Sequence, residues 1–133
     1  MEAGKKSRRV LVVDDNVEAG ELLQMLLETQ GYEVRIAFDG LAGLTEAGLF
    51  RPHVVCTDIE MPGLNGRQLA KALRDSPHSA DAMIIAITGW SSNQIDSDVN
   101  AGGFNLHLIK PFSIEDICGP LEKYFRSLED EET

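Results

Sequence analysis

Five short apolar runs, separated by longer segments of helical period, constrain the fold of this chain more than any other feature. The runs are Arg9–Val13, Tyr32–Ala37, Val54–Thr57, Met83–Ile87 and Leu106–Ile109. They are rich in β-branched residues, too short for helices, and largely lack the polar alternation of a strand with one wet face. A parallel sheet covered on both faces has this pattern. The expected architecture is therefore α/β, a (βα)5 doubly wound five-stranded parallel sheet. At 133 residues the chain has room for one such domain and no second module of useful size.

The intervening segments carry helix signals. Asn16 or Asp15 can cap a first helix, in which Leu22, Leu23, Leu26 and Leu27 recur with helical spacing and Gly31 supplies the stop. Asp39 opens a helix of small residues to about Leu49, and another runs from Gly66 to about Arg74. Ser91–Asn100 offers only Ile95 and Val99 as apolar anchors, so a helix there should be short and weak. Ser113 and Asp116 have the spacing of a capping box, with Glu115 adding charge near the start of a last helix. Gly119-Pro120 removes a backbone donor and should kink that helix or restart it at Pro120. Residues 1–7 read as a basic flank, 8–128 as the domain, and 129–133 as an acidic, solvated tail.

Net charge narrows the function classes. At -10 the chain lacks the basic face that sequence-independent nucleic-acid binding needs. Its basic cluster, Lys5, Lys6, Arg8 and Arg9, reads as a solubilising flank. No apolar run approaches the ~20 residues of a membrane span, and Val10–Val13 is too short for a signal peptide. Cys56 and Cys118 lack metal-ligand spacing and read as buried thiols in a reducing compartment, so a cytoplasmic location is expected. His53, at the start of a strand, reads as structural.

Chemistry concentrates at strand ends. Asp14, Asp15 and Asp58 follow the first and third runs, and an open parallel sheet gathers such ends on one ligand-binding edge. Uncompensated, two charges ~4 Å apart repel by about 4 kcal/mol at an effective dielectric near 20. Such a cluster holds protons or binds a hard cation, and Mg²⁺ suits a few oxygen ligands completed by water. Thr88 ends the fourth run with a hydroxyl, and Lys110 ends the fifth with a mobile ammonium suited to phosphate. Each residue alone has an ordinary use as a cap or turn former. Together they describe a site for phosphoryl chemistry.

The same residues resemble the receiver domain of bacterial two-component response regulators, from about Arg8 to Leu128. The matching text is Val12-Val13-Asp14-Asp15-Asn16, Asp58-Ile59-Glu60-Met61-Pro62-Gly63-Leu64-Asn65-Gly66, Ile87-Thr88-Gly89 and Ile109-Lys110-Pro111-Phe112. The resemblance implies a flavodoxin-like receiver fold in which Asp58 takes a phosphoryl group from a histidine kinase or histidine phosphotransfer protein. It implies Mg²⁺ held directly by Asp15, Asp58 and the backbone carbonyl of Glu60, with Asp14 acting through water. Lys110 would hold the phosphoryl oxygens, Thr88 would swing towards them, and Lys110-Pro111 would be cis. The switch position three residues before the lysine, commonly Tyr or Phe in the family, is His107 here. Glu60 and Trp90 stand where side chains can screen the phosphoryl group and tune its lifetime.

The expected function is a single-domain response regulator that switches the binding of a downstream protein target, without a nucleic-acid or membrane role. A receiver module of a hybrid histidine kinase or larger regulator is the alternative. The Ala101–His107 stretch resembles hybrid-kinase receivers at least as well as transcriptional ones. A turnover enzyme is not expected. An aspartate-nucleophile phosphohydrolase, with Glu60 as general acid, is the remote alternative and lacks room for a substrate cap.

Overall fold

The computed structural model describes residues 7–89 and 103–132. Strands β1 (Arg9–Val13), β2 (Glu33–Ala37), β3 (Val54–Asp58), β4 (Met83–Thr88) and β5 (Leu106–Ile109) form one parallel sheet in the order β2-β1-β3-β4-β5. Around it lie α1 (Val17–Thr29), α2 (Gly40–Phe50), α3 (Gly66–Arg74) and α4 (Ile114–Glu132). All five expected strands are present. The weak helix expected over Ser91–Asn100, and the neighbouring Trp90, lie outside the described residues.

Successive strand residues point to opposite faces, and this divides the core in two. Leu11, Val13, Val55, Ile84 and Ala86 meet Ala47 and Phe50 of α2 and Leu69 and Leu73 of α3. Val10, Val12, Cys56, Ile85 and Ile87 meet Leu23 and Leu27 of α1 and Ile117, Leu121 and Phe125 of α4. Each fully buried Leu or Ile contributes roughly 1.5–3 kcal/mol, so both helical layers are held by comparable forces. Of the four α1 leucines, Leu23 and Leu27 are buried while Leu22 and Leu26 remain exposed. A helix turns about 100° per residue, so adjacent leucines cannot share the inward stripe equally.

The helix starts are built from polar side chains. Asn16 accepts from the Ala19 N–H at 3.0 Å and Asp39 from that of Ala42 at 2.7 Å. Ser113 and Asp116 exchange bonds as their spacing requires, the Ser113 N–H donating at 2.9 Å and the Asp116 N–H at 3.3 Å.

Four expectations are corrected. The last helix does not restart at Pro120 but runs unbroken from Ile114 to Glu132. Ile117 lies before the proline and Leu121 and Phe125 after it, all buried on the sheet. This packing holds one continuous helix despite the missing N–H, since tertiary contact supplies most helical stability. Residues 129–132 do not stand apart as a tail but form the last turn of α4. Glu129 takes two bonds of 2.9 Å from the Arg8 guanidinium, which also donates to both Glu122 oxygens at 3.1 and 3.2 Å. Arg8 is consequently buried within the fold rather than part of a solubilising flank, and Tyr32 donates to the same Glu122 at 2.7 Å. The fourth correction concerns the thiols. Burial pushes the Cys56 thiol up to about 12, but Cys118 is only half-buried on α4.

His53 is structural as expected. Its Nδ1 accepts from the Arg9 N–H at 3.1 Å and its ring meets Phe125 edge-on, with centroids 5.3 Å apart. Among the described residues, no helix is long and apolar enough to cross a membrane.

Candidate functional site

The strand order reverses at β1 and β3, and a crevice for ligands opens beyond their carboxyl ends. Asp14 and Asp15 follow β1 and Asp58 closes β3, so the topology alone makes them neighbours. One carboxylate oxygen from each lies within 4.8 Å of the others. Asp14 is buried, Asp58 half-buried and Asp15 exposed. The Asp14 backbone N–H donates to the Ala37 carbonyl at 3.1 Å, and its Oδ1 accepts from the Asn16 N–H at 2.9 Å. The first bond holds the Asp14 backbone and the second orients its carboxylate before any ligand arrives.

The loop after Asp58 is held by two close backbone approaches. A Cβ at Gly66 would stand 2.3 Å from the Asp58 carbonyl oxygen, and one at Gly40 would stand 2.1 Å from that of Leu64. Only glycine fits at either position. The Gly66 N–H donates to the Ile59 carbonyl at 2.9 Å, while Ile59 and Met61 are buried below. Asn65 and Gln68 close the far end of the loop with a reciprocal capping box.

Lys110 supplies the positive charge. Its Nζ lies 3.7 Å from Asp58 Oδ2 and 3.8 Å from Asp14 Oδ2, within range of strong attraction though too far for tight hydrogen bonds. The Lys110 N–H donates to the Thr88 carbonyl at 2.7 Å, which sets the end of β5 beside that of β4. The Lys110-Pro111 peptide is cis. Burial raises the Asp58 carboxyl above its ordinary value; the Lys110 ammonium opposes this, Asp14 adds to it, the Glu60 N–H opposes it and Asp15 adds to it. The half-buried carboxylate is thus poorly compensated, a condition that favours a further cation or transfer of chemistry onto its oxygen.

Thr88 is buried at the end of β4. His107 sits half-buried on β5 opposite Ala86. Leu106 and Leu108 pack with the α1 and α4 layer, so alternation turns His107 to the other face of the sheet, the face of Ala86 and Thr88. Glu60 is exposed two residues beyond Asp58, and Trp90 lies outside the described residues.

Sequence reasoning missed the supporting groups. The Asn65-x-x-Gln68 spacing could have revealed the capping box. Arg74 left no comparable signal, because its partners are mainly backbone carbonyls. It donates to those of Ala80, Ala82 and Gly103 and to Asn105 Oδ1, joining the end of α3 to the approaches to β4 and β5.

Comparison with known proteins agrees with this geometry. The sequence profile of the response regulator receiver domain matches residues 10–122. The chain is 36% identical over 112 residues to the CAI-1 autoinducer sensor kinase/phosphatase CqsS of Vibrio cholerae, covering 84% of this chain but 16% of that protein. It is 27% identical to the polar-differentiation response regulator DivK of Brucella anthropi, covering 88% and 95% of the two chains. The crystal structure of the chemotaxis protein CheY4 of Vibrio cholerae is 30% identical and superposes with a TM-score of 0.83, covering 89% of this chain and 98% of that one. The strand order, the acidic edge and these relationships agree: this chain belongs to the response regulator receiver domain family of two-component signalling.

Proposed function

We propose that Asp58 is the phosphoacceptor and that the phosphoryl group comes from the phosphohistidine of a histidine kinase or histidine phosphotransfer protein. The observation that carries this reading is the Lys110 ammonium poised 3.7 Å from the Asp58 carboxylate and 3.8 Å from Asp14. Asp58 Oδ attacks phosphorus; a P–O bond forms as the P–N bond breaks, and the electron pair leaves on the imidazole nitrogen. Lys110 stabilises the charge on the phosphoryl oxygens, and Thr88 donates its hydroxyl to one of them.

The donor set fits Mg²⁺: three carboxylates offer hard oxygens in small number, with Asp15 open to water. Asp15, Asp58 and the Glu60 carbonyl would hold the ion directly and Asp14 through water. When bound, the ion supplies neutralising charge for phosphoryl transfer.

An aspartyl phosphate adds up to about two negative charges at this edge. Thr88 turns towards them, and His107, on the same face of the sheet, fills the space released and alters the surface offered to a downstream protein. Glu60 and Trp90 set the lifetime of the phosphorylated state by screening it from water. Dephosphorylation rates of Glu60→Ala and Trp90→Ala unchanged from wild type would remove that role.

The protein works in the cytoplasm as a signalling switch rather than a turnover enzyme. The near full-length match to DivK supports a single-domain regulator, and the match to one part of CqsS supports a module of a larger kinase. The length of the native reading frame separates these. Incubation with Mg²⁺ and acetyl phosphate, followed by intact mass measurement, tests the central reading. One stoichiometric label, absent from Asp58→Asn, is expected. An equal label in Asp58→Asn overturns the assignment, and sustained turnover of a phosphomonoester would favour the phosphohydrolase.

A further inference from the structure

At the amino-terminal edge of the sheet, the side away from Asp58, a cleft of about 320 Å³ is lined by Arg9, Arg51, His53, His78, Asp81 and Tyr124, among others. The chain carries -10 overall, yet two arginines and two of its three histidines meet here against one carboxylate, Asp81.

Among the described residues, neither arginine is paired with a carboxylate. Arg9 Nε donates to the carbonyls of Phe50 and Arg51 at 3.0 Å, and its Nη2 donates to the latter at 2.8 Å. It pairs with no carboxylate among the described residues. These carbonyls orient the guanidinium without neutralising it. The Arg51 side chain makes no hydrogen bond or ion pair among the described residues.

Arg51 also occupies an unfavourable backbone conformation. It follows α2 at φ 53° and ψ 63°, the left-handed region that glycine adopts without cost. The following Pro52 disfavours helical backbone at this position further. An arginine in a conformation that glycine adopts more easily, lining a cleft, is the kind of local strain that accompanies binding sites.

We propose that this cleft binds a small phosphate monoester, with the Arg51 and Arg9 guanidiniums gripping the phosphate and the Tyr124 and His53 rings flanking the remainder. The planar guanidinium fork matches phosphate oxygens two at a time. The volume lies within the range of small-ligand sites. The acidic remainder of the surface repels an extended polyanion far more than a compact ligand, which favours a small molecule.

Titration of the full chain with adenosine monophosphate and with inorganic phosphate, followed by amide NMR at constant ionic strength, tests this. Saturable shifts at Arg9, Arg51 and His53 are expected, unchanged in Lys110→Ala. Arg51→Gly relieves the backbone strain, so it should raise Tm while weakening adenosine monophosphate binding about tenfold, the loss of one charge-assisted contact. That opposite movement separates binding from folding. Shifts confined to the Lys110 edge, equal affinity in Arg51→Gly, or no saturation by about 10 mM ligand, weaker than any useful site, would each overturn the proposal.

Discussion

The Lys110 ammonium stands almost equidistant from Asp58 and Asp14, at 3.7 and 3.8 Å, so one cation serves two carboxylates of the acidic edge. Removing it should raise the Asp58 pKa further, whereas Asp14→Asn should lower it, because the two neighbours act with opposite sign. Carboxyl carbon NMR titration of Lys110→Met and Asp14→Asn in chelator-treated buffer checks both directions.

The raised Asp58 pKa has a consequence for stability. A carboxyl whose folded value lies above its unfolded value disfavours the fold when ionised. The penalty is complete above the folded pKa and vanishes below the unfolded one, near 3.8. Asp58→Asn should therefore stabilise the metal-free protein at pH 7, seen as a higher Tm than wild type. The gain should disappear as the pH falls below that window. Thermal unfolding of both proteins across pH measures it; a gain that persists in acid would mean another cause.

Two glycines of α2 give a matched pair. Gly40→Ala drives a methyl into the Leu64 carbonyl, whereas Gly48 has open space around its added Cβ. Gly40→Ala should cost about 1–3 kcal/mol and slow phosphorylation of Asp58, since the displaced loop begins at that residue. Gly48→Ala should stabilise by up to ~1 kcal/mol through helix propensity and leave phosphorylation unchanged. Urea unfolding and labelling with acetyl phosphate give both quantities.

Arg8→Ala leaves Glu122 and Glu129 facing each other without their common cation. The guanidinium is buried but both glutamates are partly exposed, which screens the pair. A loss of about 2–3 kcal/mol in urea unfolding is expected, below the full cost of breaking a deeply buried pair. Double-mutant cycles with Glu129→Gln divide it between the two partners.

The strands and the edge residues were legible in sequence because both depend on local pattern. A buried parallel strand declares itself as an apolar run, and strand order then brings Asp14, Asp15 and Asp58 together without further information. The features that escaped depend on distant partners. Nothing near Pro120 announces that Ile117 and Phe125 will hold one helix across it. Nothing near Glu129 shows that Arg8, far away in the chain, will order it. Gly40 looked like an ordinary small helix residue until the Leu64 carbonyl came to rest against it.

The Arg8–Glu129 pairing ties the start of the first strand to the last turn of the final helix, beyond the end of the sheet remote from Asp58. Both polypeptide ends of the folded unit thus leave from neighbouring points. A unit closed in this way can be spliced into a longer chain as a cassette, or joined to another protein at either end, with little geometric demand on the host. Cargo attached there would also stand about one strand length, roughly 17 Å, from the acidic edge, clear of an approaching phosphodonor.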